Sequence, residues 1–149
     1  MARRAIGTLT AALAATALAT TALAACGSSS GPTPLQVGQQ WYSATARGDG
    51  SELCKLSTPA RQRRFVEIAQ HLPGGSGVSG CAAAVDFALK HYGGAARLGK
   101  FAGVHVRLVS RSSKAAEVQA ANAAPLKLVR SGSTWLVAET AAVEPAAHG

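Results

Sequence analysis

The chain has 149 residues and a formal net charge of +8, from 15 Lys and Arg against 7 Asp and Glu. This length is sufficient for one domain and excludes two domains of ordinary size. The basic balance suits contact with anionic surfaces such as phospholipid headgroups or wall polymers, with nucleic acid as the competing interpretation. A solvated basic surface without such a partner is the simpler interpretation.

Residues 1–25 have the three parts of an export signal: a positive start, an uncharged stretch rich in Ala, Leu and Thr, and small residues. The start is MARR, and no further charged residue occurs before Arg47. The next motif, Leu23-Ala24-Ala25-Cys26, resembles the lipobox of bacterial lipoproteins. That resemblance implies a diacylglyceryl group on the sulfur of Cys26 and cleavage of the leader just before it.

The leader has two alternative fates. An ordinary cleaved signal would leave Cys26 without lipid, and an uncleaved leader would span the membrane. The second is disfavoured because Ala and Thr dominate the stretch, whereas a span needs about 20 strongly apolar residues. Arg3 and Arg4 leave both the general and the twin-arginine export routes open. Without these two arginines the exported part has 13 basic and 7 acidic residues, a net charge of about +6.

The residues after Cys26 are typical of a tether. Residues 26–34 comprise the cysteine and GSSSGPTP, a flexible spacer with a stiffer end. Two acyl chains hold a protein firmly on a bilayer. We therefore expect an extracytoplasmic location at the cell membrane, a partner that is a small apolar ligand or an exported protein, and no nucleic acid.

The other two cysteines, Cys54 and Cys81, form an even pair in an oxidising compartment. This favours a disulfide, with two buried thiols or a metal pair as alternatives. The chain has no CxxC motif, and its histidines show no ligand spacing with either cysteine. We expect neither a metal nor a cofactor.

Helical periodicity covers the first part of the mature chain. A first helix is predicted over 35–47, with its stripe at Leu35, Gly38, Trp41, Tyr42 and Thr45. A short second helix is expected after Ser51 as its N-cap. A fourth helix begins at Cys81 and ends at Gly93-Gly94, with Cys81 on its buried face near Cys54.

The third helix has the clearest signals. Thr58 is a natural N-cap, Pro59 suits the first turn, and Pro73-Gly74-Gly75 ends the helix. Its apolar stripe is Phe65, Ile68, Ala69 and Leu72. Arg61, Arg63 and Arg64 are predicted to lie away from that stripe as a basic surface. Simple helix-surface charges are the favoured interpretation, and contact with anionic headgroups beside the tether is the alternative.

From Phe101 the apolar period changes to two. Val104, Val106 and Leu108 alternate with His105, Arg107 and Val109, and the segments AAEVQAA, LKLVR and TWLVAE follow. Residues 140–149 are typical of a frayed tail. The sequence therefore predicts an α+β domain over 35–139, with N-terminal helices packed on a curved antiparallel sheet of about four strands.

The order of several motifs is familiar. It comprises an aromatic helix from Trp41 to Gly-Asp, then CKLSTP at 54–59, Cys81 at a helix start, LVR at 128–130, a turn at Gly132 and Trp135. This order resembles small actinobacterial lipoproteins with a nuclear transport factor 2-like, cystatin-like cone. RSSKAAE stands where that family usually has an Asp-Gly turn. The resemblance implies a fold that hosts isomerases, dehydratases and cyclases as well as pure binding modules.

An enzyme of that kind would need a base inside the cone. Strand parity makes His105 and Glu117 the candidates, ahead of Asp86 and Glu139. Parity also places His105 and Glu117 opposite the apolar layer, so a surface cross-strand ion pair is the simpler interpretation.

Both tryptophans, Trp41 and Trp135, are interpreted as core residues. We therefore expect an anchored binding module without catalysis. The alternatives are an isomerase-like or cyclase-like extracytoplasmic enzyme, and an accessory protein that contacts anionic membrane or wall polymer through its basic face.

Overall fold

Helices form the first part of the domain and strands the last. The structure, a computed structural model, describes residues 31–121 and 123–140, with the backbone alone at Ala95 and Thr140. The helices are α1 (Pro34–Arg47), α2 (Gly50–Lys55), α3 (Pro59–His71), α4 (Cys81–His91) and α5 (Gly94–Leu98), followed by a 3₁₀ turn (Gly99–Phe101). The strands are β1 (Val106–Arg111), β2 (Ala115–Ala120), β3 (Leu126–Ser131) and β4 (Thr134–Thr140). The predicted leader 1–25, Cys26 and residues 141–149 of the tail lie outside the described residues.

Side-chain caps determine where three of the helices begin. Thr33 and Gln36 form a capping box, so α1 starts one residue before the predicted position. Thr58 caps α3 as predicted, by accepting a hydrogen bond from the backbone N–H of Arg61 at 3.2 Å. Asp49 caps α2, where Ser51 was predicted, and accepts from the N–H of Glu52 at 2.9 Å. Ser51 already lies inside the first turn of α2, too late in the chain to serve as the N-cap.

The four strands form an open antiparallel meander in the order β1-β2-β3-β4. Leu108 pairs with Val118, and Val118 in turn pairs with Leu126. Beside β4, the segment between α2 and α3 adds a parallel bridge. The N–H of Thr58 donates to the carbonyl of Val137 at 3.0 Å, and the N–H of Val137 donates to Leu56 at 2.7 Å. The N-terminal helices are thus joined to the sheet at its β4 edge, and β1 forms the opposite edge.

The core lies between α1 and one face of the sheet, called here the inner face. Gly38 allows the close approach, because a Cβ there would lie only 2.6 Å from Cγ2 of Val118. The inner-face residues are all buried: Ala116, Val118, Ala120, Leu126, Leu128, Trp135 and Val137. Trp41 is also buried and stacks on Phe65 with 6.2 Å between ring centroids. Both tryptophans are core residues, as predicted.

Two apolar positions differ from the predicted pattern. Leu35 is 39% exposed, because the phase of α1 is set by Val37, Trp41 and Ala44, which face the sheet. Leu108 is 40% exposed, since it lies on the outermost strand just before a bulge at Val109.

The start of the sheet also differs from the prediction. Residues 94–101 form α5 and the 3₁₀ turn, and the first strand begins at Val106, five residues after the predicted change of period at Phe101. The ring of Phe101 packs against Tyr42 of α1 with 5.8 Å between centroids. Glycines at 93, 94 and 99 interrupt the helical pattern there, so this segment has little apolar periodicity. At the other end, Thr140 belongs to β4 although it was predicted to begin the tail.

Candidate functional site

Cys54 and Cys81 form a disulfide, which confirms the predicted pairing. Their Cα atoms are 6.0 Å apart, and the bond joins α2 to the first residue of α4. The closed loop contains the whole of α3. The three helices are therefore held together by a covalent link as well as by packing.

The inner face has no room for a ligand in the described part of the chain. Val37 of α1 and Val118, Leu126, Leu128 and Val137 of the sheet are all essentially inaccessible to solvent. Side chains thus pack closely along this face. The other side of the sheet is called here the outer face.

An open groove of about 390 Å³ crosses the outer face. It extends from Ser110 in β1 to Glu139 in β4, and the small side chains of Ala115 and Ala138 are among those that line it. The groove thus touches all four strands. It is the candidate binding site of the domain.

Three charged side chains form a row across this groove. The strand register places Glu117 opposite Lys127, and Lys127 opposite Glu139. Nζ of Lys127 lies 2.8 Å from Oε2 of Glu139. This hydrogen bond, together with the negative charges of Glu139 and Glu117, raises the pKa of Lys127 above its ordinary value. The same hydrogen bond and the charge of Lys127 lower the pKa of Glu139.

The shifted pKa values indicate whether the row acts in proton transfer or keeps its charges. A carboxylate that acts as a general base near neutral pH has its pKa raised by burial. The pKa of Glu139 moves the opposite way, and Lys127 and Glu139 are both exposed. Both groups stay ionised around pH 7, which suits recognition of a charged partner.

The other catalytic candidates are dispersed. Val106 pairs with Ala120 while Glu117 pairs with Ser110, so His105 lies before β1 and roughly 13 Å or more from Glu117 along the sheet. The predicted cross-strand ion pair is therefore wrong, and the charged neighbour of Glu117 is Lys127. Asp86 accepts a hydrogen bond from the N–H of Gly50 at 3.0 Å, so it stabilises the start of α2.

The three arginines predicted as one basic surface on α3 lie in different environments. Arg61 is only 9% exposed, and its guanidinium lies 4.9 Å from the ring centroid of Phe65. Its prediction as a surface residue is wrong, because positions four apart share a helix face and Phe65 faces the core. Arg64 pairs with Glu67 at 3.3 Å. Arg63 is exposed.

A different group of cations lies at one end of the sheet. Arg111 and Arg130 each hold a guanidinium 5.9 Å from the ring centroid of Trp135. The N–H of Arg130 donates to the carbonyl of Lys114 at 2.8 Å. We call Arg111, Lys114 and Arg130 the basic hairpin end. Sequence analysis missed it, although SRSSK and RSGS share the signal of a Ser-rich turn with basic residues.

No described helix is long and apolar enough to cross a membrane. Within the same described ranges, His, Cys, Asp and Glu form no group of three or more that could hold a metal ion. In comparisons with protein-family models, curated proteins and solved structures, nothing matches this chain. The likeness to nuclear transport factor 2-like lipoproteins therefore stays a prediction from sequence motifs.

Proposed function

We propose that this protein is a lipoprotein anchored at the extracytoplasmic face of the cell membrane, with a binding domain that performs no catalysis. The leader and the lipobox-like motif ending at Cys26 support the anchor. The Cys54–Cys81 disulfide supports an oxidising compartment, because such bonds are rare in the cytosol. Helices followed by an antiparallel meander support the nuclear transport factor 2-like cone as the proposed fold family.

The observation that carries the binding proposal is the groove of about 390 Å³ on the outer face. Four strands spaced by about 4.8 Å make it roughly 14 Å wide across the sheet, the length of about four extended residues. Pockets for small ligands enclose most of the ligand surface, whereas this groove is open. An extended segment of another exported protein fits it better than the small apolar ligand expected from the sequence.

The charges in the groove indicate what that segment carries. Glu117 and Glu139 flank Lys127 in the groove. A segment with both basic and acidic side chains would match this alternation. Such a pattern contributes to partner choice and association rate more than to affinity.

A catalytic role has weaker support. The enzyme alternative requires a carboxyl or imidazole in a desolvated pocket, with a pKa near the working pH. His105 is exposed, Asp86 caps a helix, and the pKa of Glu139 is lowered. These positions favour recognition over proton transfer.

A groove-filling variant tests the binding proposal. Ala138→Trp should occupy the groove, and Ala83→Trp on the exposed side of α4 is the matched control. In cells treated with a short amine-reactive crosslinker, we expect one defined crosslinked partner with wild type and with Ala83→Trp. The same crosslink should be lost with Ala138→Trp. A crosslink of equal yield in all three proteins would contradict binding in the groove.

Mass spectrometry of the protein extracted from its own membrane tests the anchor. The expected mature chain begins at Cys26 and carries diacylglyceryl mass, and a Cys26→Ser variant should leave the membrane after a high-salt wash. A mature chain that begins elsewhere and carries no added hydrocarbon would overturn this part of the proposal.

A further inference from the structure

We infer that the basic hairpin end, Arg111, Lys114 and Arg130, contacts the anionic phospholipid headgroups of the membrane that holds the protein. The inference rests on the proposed anchor at Cys26 and specifies which surface of the domain faces the bilayer.

The three cations converge although they come from different strands and turns. Alternate turns of an antiparallel meander lie at the same end of the sheet, so the β1–β2 and β3–β4 turns are neighbours. The hydrogen bond from Arg130 N–H to the Lys114 carbonyl, 2.8 Å long, joins them directly. Arg111 and Arg130 both lie 5.9 Å from the ring centroid of Trp135, so their guanidinium carbons are at most twice that distance apart.

The cluster is exposed and locally free of negative charge. All three side chains are accessible to solvent, and the ring of Trp135 beneath them is buried. No acidic residue occurs in 106–116 or in 128–138. Glu117 and Glu139, the next acids along the two hairpins, lie opposite Lys127 in the register. The end of the sheet therefore presents uncompensated positive charge to an anionic surface.

The chain enters the domain at this same end. A Cβ on Gly31 would overlap the carbonyl oxygen of Ser133, so Gly31 lies directly against the β3–β4 turn. Cys26 precedes Gly31 by five residues, which span at most about 18 Å when extended. An anchor at Cys26 would thus hold the basic hairpin end close to the headgroups. The attraction between basic side chains and an anionic leaflet acts over about a Debye length, 8 to 10 Å.

The arginines of α3 are less suited to this contact. Arg61 is buried against Phe65, and Arg64 is paired with Glu67 at 3.3 Å. The position of the tether also favours a bilayer over a wall polymer as the partner. The tether limits the distance between the hairpin end and the lipid, but it sets no distance to a polymer farther from the membrane. The hairpin end therefore combines uncompensated positive charge with a position close to the tether.

A vesicle partition experiment tests the charge contribution. Full-length Cys26→Ser protein is mixed with phosphatidylcholine vesicles, with and without phosphatidylglycerol, at low salt. Each basic residue near an anionic surface contributes about five-fold, so Arg111→Gln, Lys114→Gln and Arg130→Gln together should lower partition roughly 100-fold. Arg63→Gln, Lys90→Gln and Arg97→Gln remove the same charge from exposed helix positions and should lower it far less.

Charge-preserving variants guard against misfolding. Arg111→Lys and Arg130→Lys keep the positive charges and remove the guanidinium contacts with Trp135, so we expect binding close to wild type. Equal losses in the hairpin and helix variants would overturn the inference. So would binding to a soluble anionic phosphodiester polymer without binding to vesicles, a result that would identify wall polymer as the partner.

The lipidated wild-type protein separates this inference from the anchor. When it is reconstituted in the same vesicles, amide exchange in residues 112–114 and 131–133 should be slower with phosphatidylglycerol than without it. A protein that keeps its lipid but shows no such difference would overturn the contact and leave the proposed function intact. A mature chain without lipid would defeat the anchor, while the partition experiment still reports on the hairpin end.

Discussion

Alternate residues of the same four strands form the two faces of the sheet, but the surroundings of the faces differ. Val118 on the inner face is 0% exposed beneath α1, whereas Val129 on the outer face is 37% exposed beside the groove. One face has a helix to cover it, and no described element covers the other. The packing that stabilises the domain therefore fills the inner face, whereas the outer face carries the groove proposed as the binding site.

The largest expected effect comes from the same substitution on each face. Val118→Asp places a carboxylate in a filled core without a partner, which costs about 4 kcal/mol or more and should abolish cooperative unfolding. Val129→Asp should change the free energy of unfolding by about 0.5 kcal/mol or less. Urea unfolding followed by tryptophan fluorescence measures both. Similar losses of stability at the two positions would contradict the described difference between the faces.

Removal of the disulfide measures how much this bond stabilises the helical part of the domain. Replacing Cys54 and Cys81 with Ala opens a loop of sequence separation 27 and should cost roughly 3 to 4 kcal/mol. Thermal unfolding should show the loss, and dithiothreitol should lower the wild-type midpoint to the same extent. Two free thiols in the oxidised wild-type protein would contradict the bond itself.

Two glycine substitutions test the close contact between α1 and the sheet. At Gly38 a Cβ would lie 2.6 Å from Val118, so Gly38→Ala overpacks the inner face. Its gain in helix propensity offsets part of that strain, and a net loss of about 1 to 2 kcal/mol is expected. At Gly77 nothing lies within 4 Å of the added atom, so Gly77→Ala is the neutral control. An unchanged or higher unfolding midpoint for Gly38→Ala would show that the contact is looser than described.

The smallest expected effect concerns pH on the outer face. The lowered pKa of Glu139 adds stability above its unfolded pKa, and this is lost as pH falls through the folded pKa. The raised pKa of Lys127 adds stability below its unfolded pKa, and this is lost as pH rises through the folded value. Lys127→Met should return the pKa of Glu139 toward its ordinary value, as measured by NMR titration. A Glu139 titration unaffected by this change would contradict the ion pair.

Local signals predicted much of the helical part. Thr58 and Pro59 start α3 where expected, and the even pair Cys54 and Cys81 forms the expected disulfide. These predictions succeed because capping and oxidation depend on residues whose roles are apparent from the sequence. The errors at Leu35 and Leu108 occur where helix phase and strand coverage depend on distant partners.

The candidate site was much less predictable. Parity placed Glu117 on the face away from the core, but it could not show that Lys127 and Glu139 lie beside it, since this depends on strand register. It also paired Glu117 with His105, which lies before the first strand. Arg61 was assigned to the surface because of its charge, although its position four residues before Phe65 places it on the same helix face.

The α+β class, the start of α3 and the cysteine pair followed from the sequence alone, because apolar periodicity, capping residues and an even cysteine count are local or compositional signals. The fold was needed to show which face stays open and which cations meet. Arg111 and Arg130 are distant in sequence, and antiparallel pairing brings both against Trp135. The short turn at Gly132 and Ser133 sets the pairing of β3 with β4 locally, but placing Arg111 beside Arg130 requires the whole meander to form.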